Sequence, residues 1–422
     1  MKKITLLLLL FSASVAVAQP NDGCDLHRTR LIPYTTAKAA AERSLRPQRF
    51  MQPVELAVAG ESYNGEFTFP FSWLERQVFL RVEGAGRPYE VFVNGKRAGG
   101  SNNGHAAAEY NITKIAKEDK NRVELRLADG SEVESIECFE KYSVPAIYII
   151  SQPRVRVRDI FYRTTIGMSG VVNADFGVVM HNQTLGAKRS KLYYELYLND
   201  TIRLSGGSRD VALGMYGVDT MRFGAPVPDS VLWSSSKPQR LSLRLTNRIE
   251  GRDAEVYDLP LALRQLEYRE GCFVINNEPI QLQWRELSPL TTVADLESLL
   301  GEGCRAVRFT AGMISEEVLE FCDANGIYVA VTAPINSSMA GSSRKRGGNP
   351  SNNPKWRDEY VERVEQMILS TKRHSSVVAY FLADNSANGI ALYEAYIAAK
   401  RLAGDRPVFY KDGGGEWNSD RM

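Results

Sequence analysis

The segment Val377–Ser386, with the sequence VVAYFLADNS, decides the fold of the C-terminal part of this 422-residue chain. Its first seven residues are apolar, and its last three, Asp384, Asn385 and Ser386, are polar. A run that is apolar on both faces predicts a fully buried strand of a parallel sheet. The polar residues then follow the carboxyl end of that strand, which is the edge where α/β barrels place their functional groups.

Further parallel strands are predicted around this segment, because strand-like and helix-like stretches alternate from about Glu267 onward. One helix is expected to begin after Ser315, a good N-cap, and to end at Gly326. Residues 267–422 are therefore predicted to form a partial (β/α) TIM-type barrel. The predicted strands are Ile280–Trp284, Ala306–Thr310, Tyr328–Thr332, Val377–Ala383 and Val408–Tyr410.

Two β-sandwiches are predicted before the barrel, because short alternating runs are separated there by turn residues. The first, residues 19–157, contains the run Tyr89–Val93 followed by Asn94–Gly95, a strong hairpin signal. The second covers residues 158–266. Turns in the second are predicted at four glycines, Gly206, Gly207, Gly214 and Gly217. The fold class is thus a multidomain β plus α/β chain.

The amino terminus predicts secretion. Met1–Ala18 combines two lysines, an apolar run and Ala16-Val17-Ala18 before Gln19, which is typical of a signal peptide. The apolar run is shorter than the ~20 residues that a membrane span needs. No later segment predicts a transmembrane helix, so a secreted protein of a bacterial periplasm or outer cell surface is expected.

The net charge and the cysteine and histidine content limit the classes of ligand and cofactor that we expect this chain to bind. The formal net charge is +2, so nothing indicates binding to nucleic acid or to an anionic membrane. Cys272, Cys304 and Cys322 lie in apolar contexts that favour buried thiols. Cys24 and Cys138 are a candidate disulfide that the sequence leaves open. The histidines are scattered without metal-ligand spacing, so we expect no metal and no cofactor.

Several motifs resemble those of family 2 glycoside hydrolases, the β-galactosidase and β-glucuronidase group. Lys372–Ser386 (KRHSSVVAYFLADNS) is similar to the family's acid/base strand, R-x-H-P-S-V-I-x-W-S-L-G-N-E-S. Cys304–Arg308 is similar to x-N-A-V-R, Leu319–Val329 to L-C-D-x-x-G-I-Y-V, Arg406–Gly415 to R-P-V-x-Y-E-G-G-G, and Val91–Gly100 to V-x-V-N-G-x-x-V-G. The resemblance implies a jelly-roll domain, an immunoglobulin-like domain and a catalytic barrel.

The family's acid/base residue is missing from this alignment. The Asn-Glu pair of the family falls on Asp384 and Asn385, and an amide cannot donate a proton to a leaving glycoside oxygen. A retaining glycosidase also needs a nucleophilic carboxylate about 5 Å away, and the resemblance places that residue on a strand beyond Met422. We therefore expect a truncated homologue with no catalytic residues, with Asp384, Glu286 and Glu416 as weak alternative carboxylates.

Three other predicted strand ends also differ from the family. Trp284–Leu287 replaces N-R-H-E, Thr310–Met313 replaces S-H-Y-P, and Val331–Pro334 replaces D-E-A-N. Changes at four strand ends, beside retained core positions, indicate relaxed constraint on the sugar pocket while the scaffold is kept.

Two loops provide binding candidates. Trp417 follows three glycines and has the flat apolar ring that stacks on sugars, although covering an exposed edge is an equal alternative. The long loop 336–353 carries Arg344, Lys345 and Arg346, and loops of this length are functional or disordered.

Five strands of an eight-stranded barrel leave strand edges and an apolar inner face open. Such surfaces are normally covered, so a protein partner or a homodimer is expected there, with a glycan as the second expected ligand. The leading hypothesis is a secreted, non-catalytic binding or assembly component of a bacterial envelope or glycan-handling complex. The alternatives are a β-galactosidase-like hydrolase of carbohydrate metabolism, completed by a partner chain or a displaced carboxylate, and a gene remnant without function.

Overall fold

The computed structural model describes residues 30–140, 145–167, 170–413 and 415–421. The expected signal peptide and Cys24 lie outside these residues, so the secretion signal and the candidate disulfide stay predictions. In the described part, two β-sandwiches are followed by a parallel β/α unit. No helix there is long and apolar enough to cross a membrane.

The first sandwich follows a short helix, α1 Ala37–Glu42. Its strands are β1 Met51–Val54, β2 Ala57–Ala59, β3 Ser62–Phe69, β4 Gln77–Glu83, β5 Tyr89–Val93, β6 Lys96–Ser101, β7 Ala108–Asn111, β8 Asp119–Leu127 and β9 Ala146–Gln152. They form sheets of order β1-β9-β4-β7 and β2-β3-β8-β5-β6. Asn94 and Gly95 both have positive φ, 51° and 75°, which confirms the predicted hairpin turn between β5 and β6.

The second sandwich begins at Val155. Its strands are β10 Val155–Ile166, β11 Val172–Asn182, β12 Lys188–Leu198, β13 Ile202–Leu213, β14 Val218–Val227, β15 Leu241–Ile249 and β16 Arg252–Leu261. The sheets have the orders β10-β11-β14 and β13-β12-β15-β16. The turn prediction for Gly206 and Gly207 was wrong, because both lie inside β13. A Cβ at Gly207 would approach the Tyr194 hydroxyl to 2.8 Å, so a larger residue there would have to displace the Tyr194 ring.

The third part contains a β-meander and then the barrel strands. Its elements are β17 Leu266–Arg269, β18 Cys272–Ile275, β19 Glu278–Ile280, β20 Arg285–Leu287, α2 Val293–Gly301, β21 Ala306–Phe309, α3 Glu316–Asn325, β22 Tyr328–Thr332, α4 Arg357–Thr371, β23 Val377–Phe381, α5 Ile390–Leu402 and β24 Val408–Phe409. Strands β20 to β24 are parallel and lie side by side in chain order, as a partial barrel requires.

The ends of helix α3 confirm the predicted capping. The Ser315 side chain accepts a hydrogen bond from the Val318 N–H, and Gly326 closes the helix in the left-handed conformation. The predicted strand Ile280–Trp284 was wrong. Ile280 ends β19, and the first barrel strand starts only at Arg285 because Leu282 and Trp284 pack on the apolar cluster of the meander.

The inner face of the barrel strands is covered by the chain itself. Phe381 and Phe409 are only 4% and 3% exposed, and the Tyr268 ring of the meander lies 5.3 Å from that of Phe409. The outer edge of β24 is also occupied. Val408 donates its N–H to Asp420 Oδ2 at 2.7 Å and accepts from the Asp420 N–H at 2.9 Å. The expected partner over the half-barrel thus stays a prediction, but part of the surface it would cover is already filled.

A buried ion pair joins the first sandwich to the barrel. Glu137 and Arg363 have side chains with no exposure, and Nη2 of Arg363 lies 2.6 Å from Oε1 of Glu137. Nearby, Asn336 donates its N–H to Ile136 and accepts from the Cys138 N–H at 2.8 and 2.9 Å. Loops of the first sandwich therefore help to hold the segment that follows β22, next to the carboxyl ends of the strands.

Candidate functional site

Arg308 lies at the centre of the strand ends. It is the third residue of β21, and its side chain is 4% exposed. Its Nη1 donates to Glu286 Oε1 at 2.6 Å, its Nη2 forms an ion pair with Asp384, and its guanidinium lies 4.5 Å from the centre of the Phe381 ring. One arginine therefore links two predicted carboxylates that come from β20 and from the end of β23.

Asp384 and Asn385 point in different directions. Besides the ion pair with Arg308, the second Asp384 oxygen accepts the Ala311 N–H at 2.7 Å, so both oxygens of this carboxylate have partners. Asn385 is exposed and has a φ of 41°. Asparagine tolerates this left-handed conformation better than most residues. The side chain that the sequence resemblance aligns with the family's acid is thus an amide on a tight turn, while the neighbouring carboxylate faces a buried cation.

Glu286 lies within β20, and not in the loop after the first strand as predicted. Burial raises its pKa, but Arg308 and Lys411 outweigh that effect and hold the pKa below its usual value. Lys411 Nζ is 3.5 Å from the same oxygen that Arg308 binds. Glu286 is therefore an ionised carboxylate, poorly suited to donate a proton.

The turn after β23 is held by hydrogen bonds. The Ser386 hydroxyl donates to the Asp384 carbonyl at 2.9 Å and accepts the Ser337 N–H at 3.1 Å. The Tyr410 hydroxyl donates to the Ser386 carbonyl at 2.6 Å, and burial raises the pKa of Tyr410. This network fixes the backbone that carries Asn385.

Two residues of this site were missed by sequence reasoning. Arg308 carried a signal, because it is a charged residue inside the apolar run Ala306–Phe309. Glu140 carried none. Its carboxylate accepts a hydrogen bond from the Ser288 hydroxyl, across 148 residues of sequence, and only the docking of the first sandwich on the barrel brings the two together.

A second cluster lies on the neighbouring loops. We call Arg344, Tyr393, Glu416 and Trp417 the rim cluster. Glu416 accepts from the Tyr393 hydroxyl at 2.9 Å and lies 3.4 Å from Arg344 Nη1. The Trp417 ring lies 4.5 Å from that of Tyr393 and is 62% exposed. The structure thus brings together three of the predicted candidates.

The loop 336–353 has local order in the structure. The Asn349 side chain donates to the Ser343 carbonyl at 2.7 Å, and that of Asn352 donates to the Arg344 carbonyl at 2.8 Å. Lys345 and Arg346 are exposed and make no ion pair with the residues that the structure describes. These side chains are therefore accessible to a ligand, but nothing positions them as closely as Arg344.

The cysteines of the described chain differ in burial. Cys322 is buried, and burial raises its pKa, whereas Cys272 and Cys304 are only half-buried, against prediction. Cys138 is half-buried and forms no disulfide with the other cysteines that the structure describes. In the described ranges, no three His, Cys, Asp or Glu side chains are grouped so that they could hold a metal ion.

Residues 276–421 match the model of the TIM barrel domain of family 2 glycosyl hydrolases. The β-galactosidase of Yersinia enterocolitica is 23% identical over 382 residues, which cover 83% of this chain and 36% of that one. The β-galactosidase of Staphylococcus xylosus is 24% identical over 369 residues, with coverages of 83% and 35%. The chain spans about a third of the length of these curated relatives.

Solved structures share the fold. A putative β-galactosidase from Bacteroides fragilis superposes with a TM-score of 0.71 at 20% identity, covering 85% of this chain and 57% of that one. A β-glucuronidase from Bacteroides uniformis has a TM-score of 0.68 at 17% identity, with coverages of 83% and 46%. The chain is a glycoside hydrolase family 2-like protein, and the predicted fold class of two β-sandwiches and a partial barrel is confirmed.

Proposed function

We propose that this chain is a non-catalytic family 2-like protein that acts by binding. The observation that carries the proposal is the pairing of two carboxylates, Asp384 after β23 and Glu286 within β20, with the single guanidinium of Arg308. Beside them, the acid position of the family is Asn385.

The chemistry of a glycosidase acid explains why this pairing matters. A general acid must be protonated when the substrate binds, so enzymes raise its pKa by burial away from cations. An adjacent guanidinium does the opposite, because it stabilises the ionised carboxylate. Glu286 has a lowered pKa for this reason. Asp384 is held by both Arg308 and the Ala311 N–H, which leaves it no free oxygen to present to a sugar.

The proposal includes secretion and a role in a glycan-handling complex of a bacterial envelope. Its support is the signal-like sequence of Met1–Ala18 and the retention of the scaffold around the altered strand ends. A protein partner or a second copy of the chain, docked beside the barrel strands, belongs to the same proposal.

The second candidate is a β-galactosidase-like hydrolase. Its support is the similarity to β-galactosidases, of which this chain covers 36% and 35%, since the remaining strands of such an enzyme could come from another chain. In that function, the Asp384 side chain would have to leave Arg308 and the Ala311 N–H to reach a substrate.

A hydrolysis assay separates the two candidates. The purified chain is incubated with 4-nitrophenyl β-galactoside and 4-nitrophenyl β-glucuronide, in parallel with the Asp384→Asn variant. We expect no release of nitrophenol above the buffer rate from either protein. Hydrolysis by the unmodified chain that falls at least 100-fold in Asp384→Asn would overturn the proposal and identify Asp384 as a displaced acid.

A further inference from the structure

We propose that the rim cluster binds an anionic sugar, one that carries a carboxylate or a sulfate. This inference rests on the proposed function, because it gives a place and a ligand class to binding without hydrolysis. The site lies on the loops that follow β22 and β24 and on helix α5, and it uses none of the groups paired around Arg308.

Trp417 provides the apolar platform. Its ring is inclined by 38° to that of Tyr393 at a centroid distance of 4.5 Å, so one face is supported, and the side chain is still 62% exposed. Large exposed apolar side chains beside polar groups mark interaction sites. A flat aromatic face fits the C–H face of a pyranose ring, whose hydroxyls point outward to polar neighbours.

The backbone that carries Trp417 is firmly anchored. Next to it, Asn418 is fully buried, and its side chain donates to Asn388 Oδ1 at 3.1 Å. The Ser419 hydroxyl accepts the Tyr410 N–H at 3.0 Å. An aromatic side chain on a fixed support loses little conformational freedom when a ligand stacks on it, so the platform is pre-organised for binding.

The polar residues of the rim cluster, Arg344 and Glu416, explain why an anionic sugar would be preferred over a neutral one. Glu416 is held by the Tyr393 hydroxyl and by one N–H of Arg344, whose side chain is 64% exposed. A guanidinium has five donors, so Arg344 keeps several for a carboxylate or sulfate. Lys345 and Arg346 follow Arg344 in the same exposed loop, so this loop brings three cations to the side of the site that holds the one carboxylate of Glu416. Positive charge beside the platform favours an anionic sugar over a neutral one.

Binding of defined tetrasaccharides tests this assignment. The purified chain is titrated by calorimetry with a chondroitin sulfate tetrasaccharide, a hyaluronan tetrasaccharide and cellotetraose, which carry sulfate with carboxylate, carboxylate only, and no charge. We expect at least one anionic ligand to bind at least tenfold more tightly than cellotetraose. If hyaluronan binds as well as chondroitin sulfate, the carboxylate is recognised; if only chondroitin sulfate binds, the sulfate is recognised.

Three variants locate the site. Trp417→Ala should weaken binding at least tenfold, and Arg344→Ala should remove most of the preference for the anionic ligand. Phe71→Ala is the matched control, because Phe71 is an aromatic residue of the first sandwich that is 84% exposed, and its removal should leave affinity unchanged. All three side chains lie at the surface, and unchanged thermal unfolding of each variant shows that folding is intact.

The outcomes separate this inference from the proposed function. Affinity that survives both Trp417→Ala and Arg344→Ala, absence of binding by all three tetrasaccharides, or equal binding of cellotetraose would overturn the rim site. Cleavage of nitrophenyl glycosides with Trp417-dependent binding intact would overturn the non-catalytic proposal and keep the site.

Discussion

The polar residues at the two ends of strand β23 differ in their surroundings and in their match to the family motif. At its amino end, Arg373 and His374 match the family-like pattern and are buried. At its carboxyl end lie Asp384 and Asn385, which the sequence resemblance aligns with the family's Asn-Glu pair. One short strand therefore carries buried charged residues at one end and, at the other, an amide where the sequence resemblance places the family's acid.

The amino end is a buried charge network. His374 Nδ1 lies 2.7 Å from Asp323 Oδ2, and its Nε2 lies 3.5 Å from Glu316 Oε2. The other oxygen of Asp323 accepts the Ser376 N–H at 2.8 Å, and Arg373 is paired with Glu316. These contacts connect helix α3 with the start of β23, so their role is to hold the barrel together.

At the carboxyl end of β23, the charge of Asp384 is neutralised by Arg308 of the same chain. Arg308 and Asp384 satisfy each other, and Asn385 turns outward. The difference teaches that the strand end facing the proposed site can vary separately from the end that holds the barrel together, because the two sets of residues make no contacts in common within the described part of the chain. The following predictions test that division.

The largest expected effect is at the amino end. Asp323→Ala should lower the free energy of unfolding by about 3–5 kcal/mol, because it leaves a buried cation and the Ser376 N–H without their partner. Urea denaturation at pH 7 measures this. Glu317→Ala, an exposed carboxylate on the same helix, should cost less than about 1 kcal/mol. Similar losses in the two variants would contradict a structural role for the network.

The same network predicts a pH dependence of stability. Burial lowers the pKa of His374, but Asp323 and Glu316 outweigh it and raise the pKa to about 9. A raised pKa means that the stabilisation is complete below the unfolded value of about 6.5 and is lost as the pH rises through about 9. The free energy of unfolding should fall by about 1.4 kcal/mol per pH unit over that interval.

His374→Gln is the matched variant for this measurement. It lacks the titrating group, so its stability between those two pH values should be nearly constant. Denaturation of both proteins at half-unit steps of pH gives the two slopes. An equally steep decline in the variant would assign the effect to other groups.

At the carboxyl end, the pair of Arg308 and Asp384 should couple measurably. Asp384→Ala should cost about 1–3 kcal/mol, because Arg308 is only 4% exposed and keeps Glu286 as its one remaining carboxylate. The double variant Arg308→Met with Asp384→Ala should lose less than the sum of the two single losses. Additive losses in a double-mutant cycle would show that the pair contributes nothing.

The smallest effects are expected at Asn385. Asn385→Glu restores the family's residue on a backbone with a φ of 41°, and it should cost about 1 kcal/mol in stability and generate no hydrolysis of nitrophenyl glycosides. Asn385→Gly should change stability by less than about 0.5 kcal/mol, because glycine adopts this conformation freely. A gain of hydrolysis in Asn385→Glu would mean that the remaining catalytic groups are present after all.

Local signals predicted the elements of the barrel well. The run Tyr328–Thr332 forms β22 with the predicted bounds, and Ser315 and Gly326 bound helix α3, because apolar runs and caps act over a few residues. The first barrel strand was misplaced. Leu282 and Trp284 read as strand residues, but they pack on the meander, and the neighbouring strand selects Arg285–Leu287 instead.

The candidate site also shows that local sequence signals do not predict contacts between distant residues. The replacement at Asn385 was visible in the sequence, because it concerns the identity of one residue in a recognised motif. The ion pair of Arg308 with Asp384 joins residues 76 apart, and the contact of Glu140 with Ser288 joins residues 148 apart. No spacing rule relates such residues, since the contacts exist only after strands and domains have packed.

The sequence by itself determined the order of the two sandwiches and the parallel strands, the family resemblance and the prediction that Asn385 stands in place of the acid, because patterning and residue identity are local properties. Only the tertiary structure decided that Asp384 and Glu286 share Arg308, that the meander covers the inner face of the barrel strands, and that Arg344 meets Glu416 beside Trp417. The physical reason is that charge pairing and burial depend on distances in space, which long-range packing sets.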